Sequence, residues 1–242
     1  MTAMKQAHRA RGIVAAVASG KGGVGKTWFA ITLAHALARQ GRRVLLFDGD
    51  LGLANVDIQL GLLPSADRGA VLAEATSLEG AVQHHEGGFD ILTGRSGSGD
   101  LASLSQTAQD KLRLTLDRAT QLYETVILDL GAGLDPFVRQ MARQADRLLV
   151  IATDEPTSLT DAYAVLKLHK RDALPNSAPS VAQIVINQAA SLATGQRTYA
   201  TLARACQNFL GATPKLAGVI RRDDHVRDAI RRQTLLLQRL LR

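Results

Sequence analysis

Cysteine is almost missing from this sequence: its 242 residues include one, Cys206. That excludes a disulfide framework, a four-cysteine zinc site and an iron–sulfur cluster supplied by one chain's own cysteines. Long apolar runs are missing too. No stretch of eighteen apolar residues occurs, so no segment is expected to span a membrane. Residues 1–11 lack an apolar stretch before small cleavable residues, so no secretory signal is read there and a cytosolic location is expected. An excess of either charge is missing from the body of the chain. The formal total is +7, of which residues 1–11 supply +3 (Lys5, Arg9, Arg11) and residues 221–242 supply +4 from seven Arg and three Asp. Residues 12–220 are therefore neutral overall, and a basic surface that could hold nucleic acid must come from the two ends.

What is present is the mix of an ordinary globular protein, with 46% hydrophobic and 21% charged residues. The length suffices for one domain with a full core. Short apolar runs alternate with helical patterns throughout. Strands are predicted at Ile13–Ser19, Arg43–Phe47, Phe89–Leu92, Thr125–Leu130, Leu148–Thr153, Val181–Ile186 and Leu216–Ile220. Helices are predicted at Thr27–Gln40, Gln106–Leu122, Ser158–Lys170, Gln196–Leu210 and Val226–Leu241. Strands rich in Val, Ile and Leu, each followed by a helix, require a parallel sheet covered on both faces. The expected fold is α/β: one domain with a mostly parallel sheet of seven to eight strands, flanked by helices on both faces. Residues 1–11 read as a basic tail, 12–225 as the domain and 226–242 as a basic amphipathic helix. Pro64–Ser65 and Gly94–Gly99 read as surface loops, and the boundaries within Leu51–Gly88 are unclear.

Directly after the first strand comes Gly20-Lys21-Gly22-Gly23-Val24-Gly25-Lys26-Thr27, followed by an apolar helix pattern. This matches G-x-x-x-x-G-K-[ST] in its strand–loop–helix setting. Glycines let several backbone N–H groups converge on phosphate oxygens where side chains would clash, and the helix adds its positive end. Lys26 would neutralise β/γ-phosphate charge, and the Thr27 hydroxyl would coordinate Mg²⁺. Lys21 has no place in that ordinary cradle.

The Lys-Gly-Gly-Val-Gly-Lys-Thr form resembles the deviant Walker A motif of the MinD/ParA ATPase family. The resemblance implies that Lys21 reaches across a homodimer to the partner's nucleotide, so that two ATP molecules are sandwiched between subunits. Phe47-Asp48-Gly49-Asp50, followed by Leu51-Gly52-Leu53-Ala54-Asn55-Val56-Asp57, is similar to the family's first switch. By that match Asp50 orients the attacking water and Asp48 supports the metal shell. Ile127-Leu128-Asp129-Leu130-Gly131 reads as a Walker B strand, with Asp129 holding Mg²⁺ through water. Gly131 would donate its N–H to a γ-phosphate, and the Gly131-Ala132-Gly133 run lets the backbone move when that phosphate leaves. Asn187, closing Val185-Ile186-Asn187, matches the family's base contact, which favours ATP over GTP.

Thr153-Asp154-Glu155-Pro156-Thr157-Ser158-Leu159-Thr160-Asp161-Ala162-Tyr163 contains a helix start. Ser158 is the expected N-cap and Asp161 the third helical residue. The same string, with Leu-Gly-Leu-Ala-Asn-Val-Asp, resembles the FlhG (FleN, YlxH) branch, which regulates flagellar number and placement. Two departures stand out. Lys5-Gln6-Ala7-His8-Arg9-Ala10-Arg11 replaces the Asp and Leu of that branch's Asp-Gln-Ala-x-x-Leu-Arg element, so a disordered basic tail is expected in place of a GTPase activator. Ile220-Arg221-Arg222-Asp223 replaces Ile-Pro-x-Asp near the base.

At about 100° per residue, Val226, Ala229, Ile230, Leu236, Leu237, Leu240 and Leu241 share one side of the last helix, and Leu235 falls among the arginines. Asp223 or Asp224 is the expected cap. Two outcomes stay open for Leu236, Leu237, Leu240 and Leu241: insertion into an anionic membrane surface, as in MinD-like proteins, or packing and self-association. Two function classes follow. One is a slow, partner-stimulated ATPase positioning proteins at the inner membrane, in flagellar or division-site placement, and needing ATP and Mg²⁺. The other is a ParA-type ATPase whose dimer binds DNA through Arg221–Arg232. A metabolic P-loop kinase or ligase is a third class, and nothing in the sequence identifies its substrate. Cys206 alone excludes the reductase branch with a bridging cluster and reads as a buried small hydrophobe.

Overall fold

A computed structural model describes residues 11–50, 55–62, 77–93, 106–173 and 180–239. Its strands are β1 (Ile13–Ser19), β2 (Val44–Gly49), β3 (Gln83–His85), β4 (Phe89–Leu92), β5 (Thr125–Ala132), β6 (Arg147–Ala152), β7 (Val181–Ala189) and β8 (Lys215–Arg221). Its helices are α1 (Lys26–Ala38), α2 (Val56–Leu60), α3 (Leu78–Ala81), α4 (Gln106–Leu122), α5 (Pro136–Arg143), α6 (Pro156–Arg171), α7 (Leu192–Leu210), α8 (Asp224–Arg231) and α9 (Leu236–Arg239). The strands form one sheet in the order β3-β4-β2-β5-β1-β6-β7-β8. Every pairing is parallel except β3 with β4.

The period-2 alternation of the strands sorts the core into two layers. Val14, Ala16, Leu45, Phe47, Val126, Leu128 and Ile184 face one side, where α4, α5, α6 and α7 cover them with Leu116, Met141, Val165 and Leu202. Val17, Leu46 and Ile127 face the other side, where α1 and α2 bring Ile31, Ala34 and Leu60. Each fully buried Leu, Ile or Val contributes about 1.5–3 kcal/mol through the area it removes from water. The central strands β1, β2 and β5 are covered on both faces, which holds their C-terminal ends in a fixed relation. Cys206 is fully buried in the first layer, and burial pushes its thiol pKa up.

Three local expectations need correction. The sequence predicts one helix over Val226–Leu241, but α8 stops at Arg231 and α9 starts at Leu236. The chain turns at Gln233, whose φ is 53°, and the Gln233 Nε2 donates to the Ile58 carbonyl at 2.9 Å. This turn resets the helical phase. Leu235, expected among the arginines, is buried with Phe89, Leu46 and α1. Leu236 packs on Trp28 and Ala229. The second correction concerns Ser158. Helix α6 begins at Pro156 with Glu155 in the cap position, and the Ser158 hydroxyl, already inside the first turn, accepts from Thr153 N at 3.0 Å. Third, β3 was not expected. It is a three-residue edge strand joined to β4 by a tight turn in which Gly88 has φ +83°.

Asp223 caps α8 as expected, accepting from His225 N at 2.9 Å. Residues 1–10, Leu51-Gly52-Leu53-Ala54, Pro64–Ser65, Gly94–Gly99, Leu240 and Leu241 lie outside the described residues. Among the described residues, no helix is long and apolar enough to cross a membrane.

Candidate active site

The loop Gly20–Thr27 leaves the C-terminal end of β1, between the ends of β5 and β6. Three of its glycines are required for different reasons. Gly23 and Gly25 have φ of +79° and +89°, a left-handed backbone that side chains resist. A Cβ on Gly25 would also lie 2.5 Å from the Asn187 Nδ2. Gly20 is required by a neighbour: a Cβ there would sit 2.5 Å from the Asp161 carbonyl oxygen on α6. Gly22 meets nothing within 4 Å, so the loop opens outward at that point.

Asn187 braces this loop, its Nδ2 donating to the Val24 carbonyl at 2.8 Å. Gln188 follows with φ 57°, rare for a residue with a side chain, and its amide reaches the Gly23 carbonyl at 3.4 Å. Neither Gln188 nor this bracing role of Asn187 was expected from the sequence. The signal, a β-bulge at the end of β7, emerges only from the pairing with β8.

The carboxylates gather at the same edge. In register, Asp48 is the Cα partner of Asp129, which in turn pairs with Val17. Alternation puts both aspartates on the α1 side. Asp129 is almost fully buried, and its Oδ1 lies 3.4 Å from the Lys26 Nζ. Burial pushes the Asp129 pKa up, and this outweighs the opposing pull of the Lys26 charge and the Thr27 hydroxyl. Asp48, also buried, accepts from Asp50 N through Oδ1 at 3.1 Å and from Val56 N through Oδ2 at 3.3 Å. It thereby ties the residue after β2 to the first residue of α2. Asp50 stands beside Gly131, 3.4 Å from where a Cβ on that glycine would lie. Gly133 N donates to the Ser19 carbonyl at 3.0 Å, tying the end of β5 to the root of the loop.

The two lysines of the loop have opposite surroundings. Lys26 is 9% exposed and points inward to Asp129, whereas the Lys21 side chain is 37% exposed. Lys21 Nζ pairs with the Glu155 carboxylate and donates to Thr157 Oγ1 at 3.0 Å. Glu155 and Thr157 belong to the string read above only as a helix start and a family resemblance. Their contact with Lys21 spans more than 130 residues of sequence and leaves no periodic trace.

Among the described residues, no group of three or more His, Cys, Asp or Glu is arranged to hold a metal ion. Mg²⁺ is held by one or two protein groups plus phosphate oxygens and water, not by an all-protein cage. Thr27 and the buried Asp129 carboxylate are oxygen donors of the right kind.

A parallel sheet with a glycine-rich loop after β1 and a buried aspartate on the adjacent β5 defines a P-loop nucleotide-binding protein. Residues 15–236 match the CobQ/CobB/MinD/ParA nucleotide binding domain, and the chain belongs to that family of ATPases, on its FleN and YlxH side. It is 37% identical to the antiactivator FleN of Pseudomonas aeruginosa over 220 residues, covering 91% of this chain and 77% of that protein. It is 26% identical to the flagellum site-determining protein YlxH of Helicobacter pylori over 197 residues, covering 81% of this chain and 65% of that one. In fold it is similar to the septum site-determining protein MinD of Pyrococcus horikoshii, solved with Mg-ADP. There the TM-score is 0.75 at 23% identity, over 93% of this chain and 88% of that chain.

Proposed function

We propose that this chain is an ATP-driven switch that pairs with a second copy of itself when ATP is bound and positions other proteins. The resemblance to the FlhG branch favours flagellum number or placement, the name of the flagellum site-determining YlxH relative supports flagellum placement, and that of septum site-determining MinD favours the division site. The observation that carries the reading is the divided fate of the two lysines: Lys26 is committed to its own site, and Lys21 faces outward on a salt link that a second subunit's phosphates can displace.

In this reading the loop N–H groups and Lys26 bind the ATP phosphates, and Gly131 N–H meets the γ-phosphate. Thr27 and, through water, Asp129 hold Mg²⁺, with Asp48 bracing the chain beside them. The bound ion supplies charge neutralisation of the β- and γ-phosphates. Asp50 orients a water for in-line attack on the γ-phosphorus. The bond to the bridging oxygen breaks, and ADP and phosphate leave. Asn187 keeps its amide oxygen for the adenine amino group while its Nδ2 holds the loop. Attachment to an anionic membrane through Leu236, Leu237, Leu240 and Leu241 requires Leu236 to leave its seat on Trp28, which couples any such attachment to a rearrangement of the tail.

A second reading, a DNA-partitioning ATPase, draws on the exposed Arg221, Arg222, Arg227, Arg231 and Arg232 of β8 and the α8 segment. DNA retention that falls steeply with salt would favour it. The principal test is light scattering of the full chain with Mg²⁺ and a non-hydrolysable ATP analogue. A dimer is expected for the wild type and a monomer for Lys21→Ala. A wild type that stays monomeric overturns the switch.

A further inference from the structure

At the end of β7, two side-chain amides in succession grip two successive carbonyls of the phosphate loop. Asn187 Nδ2 donates to the Val24 carbonyl at 2.8 Å, and Gln188 Nε2 donates to the Gly23 carbonyl at 3.4 Å. Alternation along a regular strand would send these two side chains to opposite faces of the sheet. The positive φ of Gln188, 57°, breaks that alternation and brings both amides to the loop.

This conformation is strained for a residue with a Cβ and persists only where its surroundings hold it. Among the described residues, Gln233 alone shares it outside the glycines. What holds Gln188 is the pairing with β8, which shifts register between Ile186 and Ala189. Arg222 N donates to the Ala189 carbonyl at 2.9 Å and closes the irregularity on its far side. Bulges of this kind recur beside functional sites, where they re-aim a side chain. Glycine would adopt the same φ without strain, but it would bring no amide to Gly23.

The two captured carbonyls have a consequence for the loop's donors. A trans peptide holds its C=O and the following N–H on opposite sides of one rigid unit. The Gly23 carbonyl therefore sets the direction of Val24 N–H, and the Val24 carbonyl sets that of Gly25 N–H. With both carbonyls drawn toward β7, both N–H groups are turned away from it, free to donate to phosphate oxygens. We propose that Gln188 is a positioning residue for phosphate binding, aiming Val24 N–H through the Gly23 carbonyl as Asn187 aims Gly25 N–H through Val24. This rests on the nucleotide reading above and adds a residue outside the loop that sets how tightly the loop holds its ligand.

The test is equilibrium dialysis of ATP and Mg²⁺ against the full chain, paired with the melting temperature of the nucleotide-free protein. Gln188→Met keeps the length and neutrality of the side chain and removes the donor. Gln188→Gly removes the donor and the strain together. Both variants should bind ATP about fivefold more weakly than the wild type, the scale of one lost hydrogen bond. The melting temperature should stay close to wild type for Gln188→Met and be unchanged or higher for Gln188→Gly. A residue that served folding alone would lose affinity only as it lost stability. Wild-type affinity in either variant overturns the positioning role, and so does weaker binding that comes only with a lowered melting temperature. A wild type that binds no ATP overturns the nucleotide reading itself, and this proposal with it.

Discussion

Lys21 and Glu155 form an ion pair that bridges the phosphate loop to the first residue before α6, with Thr157 completing the lysine's contacts. Both side chains are well exposed, 37% and 59%, so the pair contributes at most about 1 kcal/mol. Glu155→Gln should therefore lower the ATP concentration needed for dimerisation by no more than about fivefold, with melting temperature little changed. Sedimentation across an ATP titration measures this. An unaltered dimerisation midpoint would mean that Glu155 does not compete for Lys21.

Asp50 should be separable from binding. Asp50→Ala is expected to retain ATP binding and dimerisation while phosphate release falls at least about a hundredfold, the usual scale for losing a positioned acid–base group. Steady-state phosphate assays paired with fluorescent-nucleotide binding check both halves. Full turnover in the variant would remove Asp50 from its role.

Neighbouring glycines should respond differently to one added methyl. Gly20→Ala meets the Asp161 carbonyl and Gly25→Ala meets Asn187 in a left-handed backbone, whereas Gly22→Ala meets open space. The first two should lower stability by about 1–3 kcal/mol, and Gly22→Ala should leave it within about 0.5 kcal/mol. Urea unfolding of the three variants is the comparison.

The raised pKa of Asp129 has a sign. Folding favours its protonated form, so the stability it contributes is complete below the unfolded carboxylate value near 4 and is lost as pH rises through the higher folded value. Asp129→Asn should flatten that part of the stability–pH curve while removing Mg²⁺-dependent turnover. A variant curve that keeps the wild-type slope above pH 4 would contradict the burial effect.

The single tryptophan, Trp28, reports on the C-terminal segment, because it is buried against Leu236 and Ala229. Deleting residues 235–242 should shift its emission to longer wavelength. Leu235→Ala should cost about 2–5 kcal/mol by opening a cavity in the core. Unchanged emission after the deletion would show that Leu236 is not seated on Trp28 in solution.

The central strands were legible because burial on both faces writes itself as continuous apolar runs; β1 and β4 fall on the residues expected. The phosphate loop was legible because its glycines, lysine and threonine recur at a fixed spacing between a strand and a helix. The C-terminal break was not, since one non-glycine turn at Gln233 resets the phase of a pattern that otherwise reads as a single helix. Ser158 has the chemistry of a cap, but Pro156 starts the helix earlier and sends its hydroxyl to Thr153. Contacts such as Lys21 with Glu155, or Asn187 with Val24, join distant segments and depend on the strand order, which periodicity does not record.

Gly20 leaves no room for a methyl group between the loop and Asp161, so loop and helix cannot slide past each other. Helix α6 has 16 residues and is a stiff lever about 24 Å long, with Glu155 beside its near end and Leu166 and His169 toward its far end. Any rearrangement of the loop must therefore either carry the near end of that helix with it or open the contact at Asp161.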